Sequence, residues 1–375
     1  MRALLFCSLL ILSAVAASAR AQAQSTDQAK LQAYIEARQA FESEEAAYWN
    51  LIAEKRRARF SKRRNNQDIT LADYVLIQPP VYSGPAKPAG FDSSIPETLK
   101  PVKEYVPVVA DILKAAAEHY GFVPRRPQNE MEYKKAYAGV ASVAGLTKDQ
   151  IVRIYAFECG GNGAYDLQAG LEIVRPGARA ITTALGYNQL LHVNSVELLA
   201  EQGDQMIAAL QHKAGTLTGN VKKALEQKIS IIQRMIAFSR TVPDQWREHE
   251  KLAKTPQGLG IHALNLDVDV GPLLQTQKLI NSVAFARMKG HKASLSAAEL
   301  EMMNLTGDGN GFDMVMMPQA MREKVPTSNF FQQKSYTRNP VAIRNNVVSK
   351  LIAATNATMD EEARRPGAKE LAAAF

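Results

Sequence analysis

Between Thr26 and Arg64 the chain runs without a proline or glycine, and apolar residues at Leu31, Tyr34, Ile35, Phe41, Tyr48, Leu51 and Ile52 recur at three-, four- and seven-residue steps. That period predicts one long amphipathic helix. Its end is sharply basic, with Lys55, Arg56, Arg57, Arg59, Lys62, Arg63 and Arg64. Such a run reads either as a solvated helix end that complements the C-terminal dipole or as a contact for anionic wall polymer or lipid. From residue 78 to 107 the pattern breaks at Pro79, Pro80, Pro85, Pro88, Pro96, Pro101 and Pro107. No long helix survives there, so the stretch is a linker or an extended strap. Pro107 suits the first position of a new helix. Helical periodicity then returns near 107–120, 148–158, 188–201, 205–213, 219–238, 272–288, 297–303 and 341–354, with Gly, Pro and Asn between the segments and little strand-like alternation. The pattern predicts a mainly α protein: an N-terminal helix over 22–66, a Pro-rich linker over 67–106, a helical domain over 107–357 and a charged, Ala-rich flexible tail over 358–375.

The first 21 residues belong to a different pattern. Met1 and Arg2 give a short positive start, residues 3 to 17 are almost wholly apolar, and small residues follow at Ala17, Ser18, Ala19 and Ala21. This reads as a cleavable signal peptide and predicts a periplasmic or secreted protein. Removing Arg2 and Arg20 with it lowers the net charge from +8 to +6, with 43 basic against 37 acidic residues. Outside the cytoplasm that balance suits polyanionic cell-wall or lipid surfaces better than nucleic acid. Cys7 departs with the signal and Cys159 remains as a single thiol, so no intramolecular disulfide is expected.

Candidate chemistry concentrates between Thr147 and Gly163. Thr147 and Gln150 form a capping box, Asp149 sits favourably in the first turn, and Ile151, Ile154 and Tyr155 make a buried stripe that Glu158 continues. A carboxylate on the apolar face of a last helical turn, just before a Gly-rich break, is desolvated, which raises its pKa and suits a general acid. A buried Glu paired with an Arg, or capping a loop, is the structural alternative. The six histidines are scattered without metal-ligand spacing, so neither metal nor another cofactor is expected. Gly307 to Asp313 has a calcium-loop flavour but lacks the full ligand set, and reads as a tight turn. Cys159 has no motif recruiting a base to it and reads as a passive small side chain.

Phe157-Glu158-Cys159-Gly160-Gly161-Asn162 resembles the Glu-Ser-Gly-Xaa-Asn motif of lysozyme-like lytic transglycosylases, and Ala184-Leu185-Gly186-Tyr187-Asn188-Gln189-Leu190-Leu191 resembles their Gly-Leu-Met-Gln motif. Gly186 follows Glu158 by 28 positions, a gap closer to that of goose-type lysozymes, and implies an inserted loop over 164–183 beside the cleft. A third motif, Ala-Tyr-Asn-Ala-Gly, is echoed at Met303-Asn304-Leu305. Cys159 stands where the family has Ser, Tyr187-Asn188 where it has Leu-Met, and Met303 where it has Tyr. The resemblance implies a lysozyme-like helical domain and cleavage of the β-1,4 bond between N-acetylmuramic acid and N-acetylglucosamine in peptidoglycan strands. It implies Glu158 as catalytic acid and base, with Gly186, Tyr187, Asn188, Gln189 and Asn304 binding substrate. A hydrolase needs a second carboxylate across the bond, for which Asp166 and Glu172 are the nearby candidates. The rival expectations are a non-catalytic glycan-binding relative and a helical envelope scaffold.

Overall fold

A computed structural model describes residues 3–90, 96, 105–171 and 177–375, with side chains from residue 27 onward. The protein is mainly helical. In chain order the helices are α1 (Ala3–Arg64), α2 (Val109–Tyr120), α3 (Glu130–Val143), α4 (Lys148–Cys159), α5 (His192–Gly215) and α6 (Gly219–Ser239). They continue with α7 (Trp246–Ala253), α8 (Pro256–Ile261), α9 (Gly271–Met288), α10 (Ala297–Thr306) and α11 (Asp308–Met316). The last are α12 (Gln319–Arg322), α13 (Gln333–Thr337), α14 (Pro340–Arg344), α15 (Val348–Glu362) and α16 (Pro366–Ala373). Among the described residues there is no strand, only isolated bridges from Leu185 to Gln168 and Leu190. None of those residues lies in a helix long and apolar enough to cross a membrane. Residues 3–21, read above as a signal segment, are the first turns of α1, and their side chains lie outside the described residues.

The chain divides into two compact units, Met1–Glu104 with Lys324–Asn346, and Tyr105–Glu323 with Val347–Phe375. The helical domain expected over 107–357 therefore loses 324–346 to the N-terminal unit. In that first unit the predicted strap lies along α1: Tyr82 packs edge-on against Tyr34 and Phe41, and the Tyr48 hydroxyl donates to Ile77 O at 3.1 Å. At the basic end of α1 two arginines are internal, while Arg57 and Arg64 remain exposed. Arg56 and Arg59 are buried at 8% and 0% exposure. Arg56 donates to Phe331 O at 2.6 Å, and Arg59 to Asp73 O and Asn329 O at 3.0 Å each. Lys62 pairs with Asp73 at 2.7 Å. Helix-period sequence cannot reveal this, because two of the acceptors, Asn329 O and Phe331 O, are backbone carbonyls 270 and 275 positions away.

Asn329 closes the arrangement. Its side chain accepts from Val75 N at 2.9 Å and donates to Val75 O at 2.8 Å and to Pro326 O at 3.0 Å. Asn329→Ala strands the buried Val75 amide and carbonyl, which costs about 3 kcal/mol. Urea unfolding followed by the fluorescence of buried Trp49, in a Trp246→Phe background, measures that loss.

The second unit packs its helices around two hydrophobic clusters. One gathers Tyr133, Tyr137, Ile151, Ile154, Tyr155 and Tyr187 with Leu300, Met303, Met359 and Leu371. The other gathers Ile112, Leu199, Met206, Ile229, Ile232 and Leu274. The two helices expected over 188–201 and 205–213 are one, α5, because Gly203 serves as a contact point: a Cβ there would meet Ile236 Cγ1 at 2.6 Å. The expected tail over 358–375 is also ordered into helix, with Ala368 and Leu371 at 0% exposure.

Candidate active site

Helix α4 starts on the expected capping box, Thr147 with Gln150, and ends at Gly160 in the left-handed conformation. Gln150 also donates to Leu295 O at 2.8 Å, which fixes the start of α4 beside α10. Ile151, Ile154 and Tyr155 are fully buried, so Glu158, one turn on, is carried against α10. There Asn304 Nδ2 donates to Glu158 Oε1 at 2.9 Å and approaches Glu301 Oε1 at 3.5 Å. The Glu158 and Glu301 carboxyls share a hydrogen bond. Glu158 is partly buried and Glu301 has 0% exposure. Burial pushes the Glu158 carboxyl up to about 7, against the lowering effect of the Glu301 and Asn304 hydrogen bonds. Glu301 is driven well above the ordinary carboxylate range, first by burial and then by Glu158. Two carboxyls in one desolvated place cannot both be ionised cheaply.

The chain matches no protein-family model, no curated protein and no solved structure.

The residues expected around Glu158 separate into two groups. Asn304 is at its carboxyl. The turn from Gly186 to Gln189 adjoins it through Cys159, whose Sγ donates to Gly186 O at 3.4 Å and lies 3.6 Å from Tyr187 O. Gly186 has φ 82° and stands so close to Gln275 that a Cβ would meet its Nε2 at 2.5 Å. Tyr187 and Asn188 are buried at 0% and 1% exposure. The Tyr187 ring packs edge-on against Tyr133, Tyr137 and Tyr155, and its hydroxyl donates to Glu130. Asn188 accepts from Tyr137 at 2.9 Å and donates to Gln275 O at 2.6 Å. Both side chains thus hold the turn from inside. Gln189 is partly exposed, with φ 45°, and its amide donates to Gly186 O at 2.8 Å and Leu167 O at 3.1 Å.

The inserted loop folds back on the same turn, with Ala169 N donating to Ala184 O at 3.1 Å and Gly186 N to Leu167 O at 3.0 Å. Asp166, one candidate for a second carboxylate, is engaged by Arg126 at 2.8 Å. Glu172, the other, lies outside the described residues. The carboxylate found beside Glu158 is instead Glu301, which the sequence reading missed. Its signal is a lone acid in the apolar run Leu300-Glu301-Met302-Met303, three positions before Asn304 and so on the same helical face. Among the described residues no group of His, Cys, Asp and Glu could hold a metal ion.

Cys159 is a fastener in this arrangement. It is buried and free of disulfide, and burial pushes its thiol well above the usual range, so it stays a weak hydrogen-bond donor. Cys159→Ser replaces one donor with a stronger one aimed at the same carbonyls. Urea unfolding of the variant is expected to stay within about 1 kcal/mol of the parent, on the scale of one exchanged hydrogen bond. A thiol reagent is expected to leave the native protein unlabelled.

Proposed function

We propose that this protein is exported and cleaves the β-1,4 bond between N-acetylmuramic acid and N-acetylglucosamine in peptidoglycan, with Glu158 as the single acid and base. One observation above all supports the reading. Two residues singled out by separate motifs, 146 positions apart in the chain, meet at 2.9 Å, Asn304 donating to a Glu158 carboxyl raised to about 7. A carboxyl with that affinity holds a proton to give to a leaving oxygen near neutral pH, and takes one back afterwards.

In the transglycosylase form of the reaction, Glu158 protonates the glycosidic oxygen as the C1–O bond breaks, and the 4-hydroxyl of N-acetylglucosamine departs. The muramoyl C6 hydroxyl then bonds to C1 and its proton returns to Glu158, leaving a 1,6-anhydro end without water. A retaining or inverting hydrolase instead needs a second carboxylate open to the sugar. Asp166 is tied to Arg126, and the buried Glu301 cannot touch a glycan. Both facts favour the anhydro product. A second reading, a glycan-binding relative without catalysis, is favoured by Gln189, whose amide is spent on two carbonyls of its own chain.

Incubating the full chain, freed of residues 1–21, with purified peptidoglycan separates these outcomes. Anhydro-ended muropeptides found by mass spectrometry support transglycosylation, and reducing ends mean hydrolysis. Glycan retained by the protein without any release supports the binding relative.

A further inference from the structure

Glu301 is as fully buried as Asp267, but Asp267 is paired with Lys228 at 2.8 Å. Glu301 has 0% exposure, no basic partner among the described residues, and one carboxyl oxygen, Oε2, that no N–H or O–H of another described residue reaches. An ionised carboxylate left so would forfeit its hydration for a single long contact from Asn304. A protonated one has an O–H to donate to the Glu158 carboxyl, with which it shares a hydrogen bond.

We infer that Glu301 is a positioning residue that keeps its own proton and donates a fixed hydrogen bond to the Glu158 carboxylate each time Glu158 gives its proton away. The inference rests on the proposed role of Glu158. When Glu158 protonates the glycosidic oxygen, its new negative charge meets two donors already in place, Asn304 Nδ2–H and Glu301 O–H. When the C6 hydroxyl proton arrives, the pair returns to its starting state. Glu301 neither gains nor loses a proton in the cycle, so the step balances without a co-reactant. Preorganised donors aimed at developing charge need no rearrangement at the moment of reaction.

The groups acting on Glu301 are few. Glu158 from α4 raises it and Asn304 on its own helix lowers it; the fully buried Tyr137 of α3 lies within electrostatic reach. The charged residues of the other neighbouring elements are turned elsewhere. Arg153 of α4 goes to Asp360 of α15 at 2.8 Å, and Asp308 of α11 accepts from Ser282 of α9 at 2.6 Å and lies 4.0 Å from Lys278. Among the described residues no cation acts on Glu301 to draw the proton off.

The test uses the neutrality of glutamine. Glu301→Gln presents an amide N–H where the acid presents its O–H, so kcat/KM and its pH profile are expected to stay within about threefold and half a pH unit of the parent, on the scale of one exchanged neutral hydrogen bond. Glu301→Ala, which removes the donor, is expected to lower kcat/KM by about 30-fold or more. If Glu301→Gln is as inactive as Glu158→Gln, Glu301 works as an ionised carboxylate and the inference is overturned. A second measurement needs neither activity nor a variant that folds: Glu carboxyl-carbon NMR of the parent protein. One Glu signal is expected to remain at the protonated shift at about pH 8, and its titration at ordinary carboxylate pH overturns the inference. A parent that cleaves no glycan yet keeps that protonated signal defeats the proposed function while upholding the pair.

Discussion

Glu158→Gln is expected to abolish muropeptide release, lowering the rate by about a thousandfold or more, in line with loss of a general acid and base. The glutamine keeps the size of the side chain and can still meet Asn304 by turning its amide, so the loss reports proton transfer rather than collapse of the site. A second readout belongs to the same variant. In the parent the folded protein raises the Glu158 carboxyl from the ordinary 4.5 to about 7. The sign follows: a group held above its unfolded value contributes stability in full below about 4.5, and that contribution is lost as pH rises through about 7. Glutamine has no ionisation to suppress. The variant should therefore gain about 2 kcal/mol on the parent between about pH 5 and pH 8, a discounted fraction of the shift. Urea unfolding of both proteins at the two pH values measures it. A dead variant that is more stable than its parent only at the higher pH is the mark of a residue kept in place for chemistry. An inactive variant with no such gain would mean that the carboxyl is not held up, and that its loss acts through the fold.

What could be read from the sequence, and what could not, divides along the range of the interactions. Helix α4 was legible to its ends because its signals are local: the Thr147–Gln150 box, the stripe Ile151, Ile154 and Tyr155, and the Gly160 stop. Helix α3 was missed although Tyr133 and Tyr137 lie one turn apart, because Lys134, buried at 2% exposure, interrupts the apolar pattern. Its charge is met by Glu370 at 2.7 Å, a residue the sequence placed in a tail. The burial of Arg56 and Arg59 at the end of α1 was not legible for the same reason. Arginines read as solvated until the carbonyls of Asn329 and Phe331 are found around them. In the site, Glu158 and Asn304 were visible as motif positions, and their meeting is long-range information that two motifs jointly carried. Tyr187 and Asn188 stood in the same motif, yet their size and polarity serve the tyrosine cluster and Gln275. Glu301 was invisible for the opposite reason. A single acid within Leu300 to Met303 looks like a polar interruption of a core helix, and only the carboxyl opposite gives it meaning.

The C-terminal residues lead to the second large effect, Gly161→Ala. Gly161 has φ 67°, in the left-handed region that costs an alanine about 1 kcal/mol. A Cβ there would stand 2.2 Å from Glu362 O and 2.8 Å from Arg365 Cβ, so the chain entering α16 would have to move. That movement breaks the bonds from Ala368 N to Gly161 O at 2.8 Å and from Gly367 N to Asn162 Oδ1 at 3.0 Å. It also exposes Ala368 and Leu371 and takes Glu370 from buried Lys134. A buried ammonium without its partner is costly by itself. Together these losses are expected to remove about 4 kcal/mol from the stability of the second unit. Trypsin should then cut at Arg364 or Lys369 under conditions where the parent resists, because opening of α16 no longer competes with its docking. The Gly160–Asn162 turn follows Glu158 directly, so cleavage activity should fall with the docking, by roughly tenfold, since small displacements at a reacting group are felt strongly. Lys134→Met in the same background separates the contributions: it removes the stranded charge and should restore part of the stability without restoring protection of α16. A Gly161→Ala protein that keeps α16 protected from trypsin and unfolds within about 1 kcal/mol of the parent would show that the contact between this turn and the C-terminal helix is dispensable.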